Sequence, residues 1–475
     1  MGTERVVLLV AATVLLVFCS NLTWANLVLK VEHRFAGLEK THLNLGAFKD
    51  HDNRRHGRRL SAVRLPLSGD GLAFGTALFY TTLGIGTPAK DYYLQVDTGS
   101  DVTWVNCAGC KGCPAKSDLG VKLRLYDVKS SKSGSVVACD QEFCADNIKP
   151  PSCKSGSSCP YSVQYADKST TEGYIVKDIV QLDKASGDYQ TTPMNGSVAF
   201  GCGDRQSGRL SSSKDAVDGI LGFGQSDSSM ISQLSSAGEV KKIFAHCLDS
   251  KKRGGIFAIG EVVQPAVNTT PMIKDQTFYI ANLSAIEVGG DLLQVNSGGA
   301  GGNTDLQKPM LIDSGTTLAY LTEELFTPLV KKILAAQPGL VPVNTQQQFI
   351  CFQFSGKVDD GFHDVTLHFG SQVSITVPPH EYLLDVGEDV WCVGWQGIEG
   401  TELSILGDLV LSNKLVVYNL ENQTIGMANY DCSSTIKVKD EETGAEYVIS
   451  SSKQNSSGRA LALLTSLIMM LIMFA

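Results

Sequence analysis

This chain of 475 residues has no excess of positive charge, few charged residues of either sign (19%) and no apolar run of full membrane-spanning length. A formal net charge of −9 excludes the basic footprint of a nucleic-acid-binding protein. The two longest apolar stretches lie at the ends, Val6 to Phe18 and Ala460 to Ala475. Both fall short of the roughly 20 residues a spanning helix needs. Long helical periodicity is also scarce. Short alternating apolar and polar runs, punctuated by 47 glycines, describe many brief strands instead, so the expected fold class is mostly β.

What the ends do carry reads as export. Arg5, the apolar run and the small residues near Ala25 describe a secretory signal over 1–25. Residues 26–74 hold nine Lys or Arg against five acids and include Arg54-Arg55-His56-Gly57-Arg58-Arg59. With few apolar positions and no clear period, they read as a solvated basic propeptide that lies against an acidic body and is later cut away. At the far end a polar linker, 433–457, precedes an uncharged tail within 458–475. Small residues, spacer and tail match the signal for a glycosylphosphatidylinositol anchor, with Ser452, Asn455 and Ser456 as candidate attachment residues. Asn-x-Ser/Thr sites at Asn195, Asn268, Asn282, Asn422 and Asn455 agree with a secretory route.

Of thirteen cysteines, Cys19 leaves with the signal. The even remainder comprises Cys107, Cys110, Cys113, Cys139, Cys144, Cys153, Cys159, Cys202, Cys247, Cys351, Cys392 and Cys432. In an oxidising compartment these point to disulfides, and the Cys107, Cys110, Cys113 spacing to bridges rather than zinc. The dense stretch from Cys107 to Cys159 reads as a disulfide-stapled surface insertion. Cys247 next to His246 reads as a half-cystine rather than a thiol nucleophile.

The organising feature is a stretch that occurs twice, Asp97-Thr98-Gly99-Ser100 and Asp313-Ser314-Gly315-Thr316, with the aspartates 216 residues apart. Each follows an apolar strand, and each is followed at a distance by Ile-Leu-Gly, at Ile220 to Gly222 and Ile405 to Gly407. One such turn is ordinary; two with matching sequels imply duplication, with halves at 75–270 and 271–432. If the halves pack about a pseudo-twofold axis, Asp97 and Asp313 meet, and two close carboxylates share one proton. One can then activate a water while the other polarises a carbonyl, which is amide hydrolysis without a covalent intermediate. Gly99 and Gly315 permit close backbone approach, and the hydroxyls of Thr98, Ser100, Ser314 and Thr316 are placed to hold the carboxylates in plane.

Between the motifs, Tyr161 to Val176 alternates around a polar turn and predicts a β-hairpin with an exposed tip. Ser228 to Ala237 predicts a short helix. Thr322 is placed to cap a second, with Leu325, Phe326, Leu329, Val330, Ile333 and Leu334 forming its apolar stripe.

These motifs resemble the pepsin-like aspartic proteases, in particular the nepenthesin-like and pollen-type plant members with a lipid-anchor signal. The resemblance runs from about Leu78 to Cys432. It includes Trp104, seven residues after Asp97, both Ile-Leu-Gly segments, and Asp408 with Val417-Tyr418-Asn419. It implies a bilobal fold of two barrel-like lobes with the active site in the cleft between them, and aspartic endopeptidase activity without a cofactor or metal. Peptide or protein substrates, a lipid-tethered monomer at the outer face of the plasma membrane, and a flap whose Tyr165 bonds Trp104 are implied too. The flap departs from the usual plant Tyr-Gly-Asp-Gly-Ser, reading Tyr165-Ala166-Asp167-Lys168-Ser169, which stiffens its tip and adds a charge above the cleft. The alternative within the same fold is a catalytically silent inhibitor, receptor or binding protein.

Overall fold

A computed structural model describes the backbone of residues 27–33 and residues 79–450, except 149, 151, 166–167, 214–215, 251–253, 296–305, 345–348, 371 and 441–442. The signal, residues 34–78 and the C-terminal tail with Ser452, Asn455 and Ser456 lie outside the described residues.

The expected mostly-β fold is found, and the duplication is visible in its pairing. Phe79–Ile85 and Lys90–Asp97 form an antiparallel hairpin that ends on Asp97. The Asp97 strand runs parallel to Gly219–Gly222, with Asp97 opposite Gly222. Trp104–Lys111 flanks that strand antiparallel, Trp104 opposite Ile220, and runs parallel to Gln190–Gln206. The second half repeats the order. Lys308–Ile312 is parallel to Ser404–Leu406, Ala319–Thr322 is antiparallel to it with Tyr320 opposite Ile405, and Trp395–Ile398 runs parallel beyond. The glycine closing each Ile-Leu-Gly is required by close approach. A Cβ on Gly222 would sit 2.4 Å from the Asp101 carbonyl oxygen, and one on Gly407 2.2 Å from that of Leu318.

The halves are joined by a shared sheet. Lys414–Asn419, from the second half, pairs antiparallel with Ile243–Asp249 from the first, and Thr424–Asn429 continues the sheet outward. A division at 270/271 therefore cuts a chain whose last strands belong to a sheet built by both halves. Phe223, Phe244, Phe257, Tyr279 and Tyr418 fill the space above it in edge-to-face and stacked pairs. The cluster draws on both halves, and the Tyr279 hydroxyl donates to the Phe223 carbonyl at 2.7 Å.

Two segments differ from the sequence expectation. Leu27–His33, placed in a solvated arm, is a strand between Gly254–Ile259 and Phe79–Ile85, where both of its edges are paired. The linker 433–457 begins with two strands, Ile436–Lys439 and Glu446–Ile449, which pair with each other and with Val262–Gln264. Ile436, Val438 and Ile449 are buried there, so alternation within a polar stretch is enough to dock it.

The short helix is Met230–Ser236, with the Ser229 hydroxyl accepting from the Ser232 N–H as a cap. The longer helix is Glu323–Leu334, with Leu325, Leu329, Val330 and Ile333 buried. Thr322 occupies its N-cap position, but its hydroxyl makes no capping bond. Among the described residues no helix is long and apolar enough to cross a membrane.

All twelve cysteines pair: Cys107–Cys202, Cys110–Cys113, Cys139–Cys153, Cys144–Cys159, Cys247–Cys432 and Cys351–Cys392. Three bridges close within the insertion and a fourth, Cys107–Cys202, ties it to the sheet.

Candidate active site

The two aspartate turns carry matching hydrogen bonds. Asp97 Oδ1 accepts from the Gly99 N–H at 2.7 Å, and Asp97 Oδ2 from the Ser100 hydroxyl. Asp313 Oδ1 accepts from the Gly315 N–H at 2.9 Å, and Asp313 Oδ2 from the Thr316 hydroxyl at 2.7 Å. Both carboxylates are buried, at 0% and 1% exposure. A Cβ on Gly99 would lie 2.6 Å from Asp313 Oδ2, so the residue that donates to one aspartate packs against the other. Two acidic groups at such proximity in a buried site cannot both ionise cheaply.

Two of the four predicted hydroxyls, those of Ser100 and Thr316, are found on a carboxylate. Thr98 instead crosses between the halves, donating to the Ile312 carbonyl at 3.2 Å and accepting from the Ser314 N–H at 2.9 Å. Ser314 occupies the equivalent place in the other turn, but its buried hydroxyl has no partner among the described residues. The cross-link between the turns is thus one-sided, supplemented by Gln95 Nε2 to the Gly315 carbonyl at 3.4 Å.

The hairpin Pro160–Gln164 with Thr170–Gly187 forms as expected. The Trp104 indole N–H donates to the Tyr165 phenol at 2.8 Å, and both side chains are buried. The tip closes through Lys168 N–H to the Tyr165 carbonyl and Tyr165 N–H to the Ser169 carbonyl, both at 2.9 Å. Lys168 is exposed and has φ 67°, a left-handed conformation that glycine adopts without cost. Ala166 and Asp167 lie outside the described residues.

Three further buried groups matter to which the sequence reading gave no role in the site. Asp218, just before the first Ile-Leu-Gly, accepts from the Tyr93 N–H at 2.8 Å and the Arg124 N–H at 2.6 Å. Burial pushes its carboxyl up to about 6, against the pull of those bonds. His246 and Tyr418 lie in adjoining strands of the shared sheet, with His246 Nε2 and the Tyr418 hydroxyl 3.0 Å apart. The acid before Gly219 was a visible signal for the first. The other two meet only through long-range pairing.

Of the sugar-acceptor sites, Asn195, Asn268, Asn282 and Asn422 are exposed. Asn268 Nδ2 already donates to the Gln372 carbonyl at 2.9 Å. Asn455 lies outside the described residues.

Comparison with known proteins adds to this geometry. Two family models match in tandem, "Xylanase inhibitor N-terminal" over residues 79–261 and "Xylanase inhibitor C-terminal" over 278–429. Aspartic proteinase 36 of Arabidopsis thaliana is 44% identical, with 98% of each chain covered. Aspartic proteinase 39 of the same plant is 43% identical, covering 92% of this chain and 91% of its own. Among solved structures, basic 7S globulin from soybean superposes with a TM-score of 0.59 at 17% identity, over 86% of this chain and 98% of that one. Conglutin gamma from lupine seeds gives 0.60 at 18% identity, over 85% and 94%. These two globulins share the fold.

Proposed function

The chain belongs to the pepsin-like aspartic proteases, and on that premise we propose that it is an endopeptidase in which Asp97 and Asp313 activate a water between them. The observation that carries this reading is the mirrored pair of buried carboxylates on either side of Gly99. With one proton shared, the ionised aspartate takes a proton from water as it attacks the peptide carbon, and the protonated one donates to the carbonyl oxygen. Apparent titration then belongs to the pair. The Tyr165 hairpin covers the substrate backbone, with Trp104 holding the ring.

The sequence ends support an exported protein held at the cell surface: a secretory signal before residue 26, a basic propeptide over 26–74, and a lipid-anchor tail after the last described strand. Peptide or protein chains are the substrates, and the membrane is met through the anchor. The runner-up is a catalytically silent protein of the same fold. It is favoured by the inhibitor descriptions of the matching family models and opposed by two intact aspartate turns.

Cleavage of a denatured protein by the purified, prosegment-free chain in acid tests the first reading. Activity that disappears in Asp97→Asn, with the fold retained by circular dichroism, is the expected result. No cleavage between about pH 3 and 7 returns the silent reading. Release from membranes by a phosphatidylinositol-specific phospholipase tests the anchor; a protein that stays bound after both this treatment and truncation at Gly458 has no such anchor.

A further inference from the structure

The segment expected to be a polar linker to the anchor is held against the body as far as Ile449. Ile436–Lys439 pairs with Val262–Gln264 and with Glu446–Ile449. The Lys439 N–H donates to the Glu261 carbonyl at 3.0 Å, and the Tyr189 N–H to the Val448 carbonyl at 2.8 Å. The Val448 N–H donates to Asp188 Oδ1 at 2.9 Å, and Lys184 Nζ lies 3.7 Å from the buried Asp440 carboxylate. Just ahead of this strand pair, Cys432 is bonded to Cys247. The chain that follows Ile449 therefore leaves the body from a fixed point.

That point is on the far side from the aspartate pair. Along Ile243–Asp249 and Lys414–Asn419 the side chains alternate between two faces. Phe244 and Tyr418 belong to the core that contains Phe223 and Tyr279, whereas Ala245, Cys247, Leu415 and Val417 belong to a second core with Ile436, Val438 and Ile449. The aspartate turns are joined to the first core: the Phe223 N–H donates to the Asp97 carbonyl at 2.8 Å, and the Ile312 N–H to the Tyr279 carbonyl at 2.9 Å. The shared sheet thus separates the aspartates from the C-terminal strand pair. A single strand measures the separation. Thr170–Gly187 is 18 residues long, up to about 60 Å along its path. It begins at the tip of the Tyr165 hairpin, and it ends at the Asp188-Tyr189 turn that holds Val448.

The candidate attachment residues Ser452, Asn455 and Ser456 come three, six and seven residues after Ile449. Seven residues fully extended span at most about 25 Å, less than half the length of that strand. The glycan of an anchor adds reach but no shorter route, because the Thr170 end meets the lipid only if the tether passes around the body. Tyr189, at the end nearest the tail, is 45% exposed, and tyrosine favours the headgroup region of a bilayer. We propose that the anchored chain stands on its membrane by the face that carries Tyr189 and the Ile436–Ile449 strand pair. The Tyr165 hairpin and the aspartate cleft are then turned away from that membrane, and the substrates are chains that arrive from the aqueous side. The orientation rests on the lipid-anchor reading and the substrate class on the hydrolytic one; the docking of the strand pair rests on neither.

Three measurements on the full chain keep these apart. Hydrogen exchange on phospholipase-released protein should show slow amides at Tyr189, Lys439 and Val448; exchange as fast as in an unfolded segment overturns the docking and the proposal with it. Acylation of lysines, read by mass spectrometry, compares the membrane-bound and released forms. Lys437 and Lys439, whose side chains are each 37% exposed, should react at least about threefold more slowly on the membrane, and the exposed Lys168 equally in both. Equal reaction at all three, or protection at Lys168, overturns the orientation. For the substrate class, the chain is inserted in phosphatidylcholine vesicles and given one peptide either free or joined to a lipid of the same vesicle by a short spacer. The free peptide should be cut within about twofold of the released enzyme's rate, and the lipid-joined one at least about tenfold more slowly than by a variant with about 20 Gly/Ser residues inserted between Ser450 and Ser451. Equal cleavage of the lipid-joined peptide with and without the insertion overturns the assignment of substrates. A chain that never associates with membranes defeats the anchor reading and the orientation together. A membrane-bound chain that cuts neither peptide, before or after release, defeats the hydrolytic reading, and the lysine pattern still decides the orientation.

Discussion

The buried Trp104 indole donates to the buried Tyr165 phenol across 2.8 Å, which ties the Tyr165 hairpin to the strand that follows the first aspartate. Seven residues separate Trp104 from Asp97, and the intervening turn returns the chain beside Gly219–Gly222. The hairpin is therefore referenced to the same strand pair that carries the carboxylate. In the second half, Tyr320 holds the matching register opposite Ile405, and the Tyr165 hairpin belongs to the first half.

Removing that donor should affect catalysis more than stability. Trp104→Phe keeps most of the apolar volume but removes the indole N–H from which the Tyr165 phenol accepts, a loss of about 0.5–1.5 kcal/mol for the closed hairpin. A fall of about tenfold or more in kcat/KM, with Tm lowered by only a few degrees, is the expected outcome in steady-state kinetics and thermal melts. Trp104→Phe combined with Tyr165→Phe removes both polar groups and should restore the stability that the single change loses.

Lys168 offers a change in the opposite direction. Its φ of 67° is strained for a side chain with a Cβ. Lys168→Gly should stabilise the native hairpin by roughly 1 kcal/mol, and Lys168→Val should destabilise it by more, because a β-branched residue fits that region worst. Limited proteolysis at the tip, compared across the three proteins, reads the order directly.

Local pattern explains what was legible in the sequence. Asp97 and Asp313 stood out because each turn has its own strand and its own Ile-Leu-Gly, and Gly222 and Gly407 are fixed by backbone approach that no other residue permits. Trp104 and Tyr165 followed from spacing and resemblance. Apart from the uncapped Thr322 and the hairpin inside the linker, the failures are long-range. Leu27–His33 has apolar residues, but the partners that make it a central strand are Gly254–Ile259 and Phe79–Ile85, so its neighbours along the chain say nothing of them. His246 and Tyr418 are 172 residues apart, and only the shared sheet brings them together. Ser314 and Thr98 look interchangeable as hydroxyls, yet packing gives one a cross-link and the other no partner.

Asp218 makes the fold more stable in acid. Its folded value of about 6 exceeds the ordinary carboxyl value, so between the two the folded state holds a proton that the unfolded state has released. Stability from this group is complete below about pH 4 and is lost as pH rises through about 6, by something on the order of 3 kcal/mol. Urea midpoints taken from about pH 4 to 7 should fall accordingly. Asp218→Asn should be less stable at every pH, because one of the two backbone N–H donors loses its acceptor, and should lack the decline over that interval.

A buried ion pair at the base of the shared sheet gives the largest predicted stability effect. Lys414 Nζ lies 2.9 Å from Glu381 Oε2 and 3.0 Å from the Ser412 carbonyl, with the pair 2% and 6% exposed. Burial lowers the Lys414 ammonium while Glu381 holds it up, so the charge depends on its partner. Lys414→Met leaves the carboxylate buried and uncompensated, and should cost roughly 3–5 kcal/mol. Adding Glu381→Leu removes that charge and should recover most of the loss. Recovery stays incomplete, because Asn413 Nδ2 then loses its 2.7 Å bond to Glu381 Oε1 and the Ser412 carbonyl its donor. A double-mutant cycle in urea measures the coupling; losses that simply add would mean that the two charges are solvated independently.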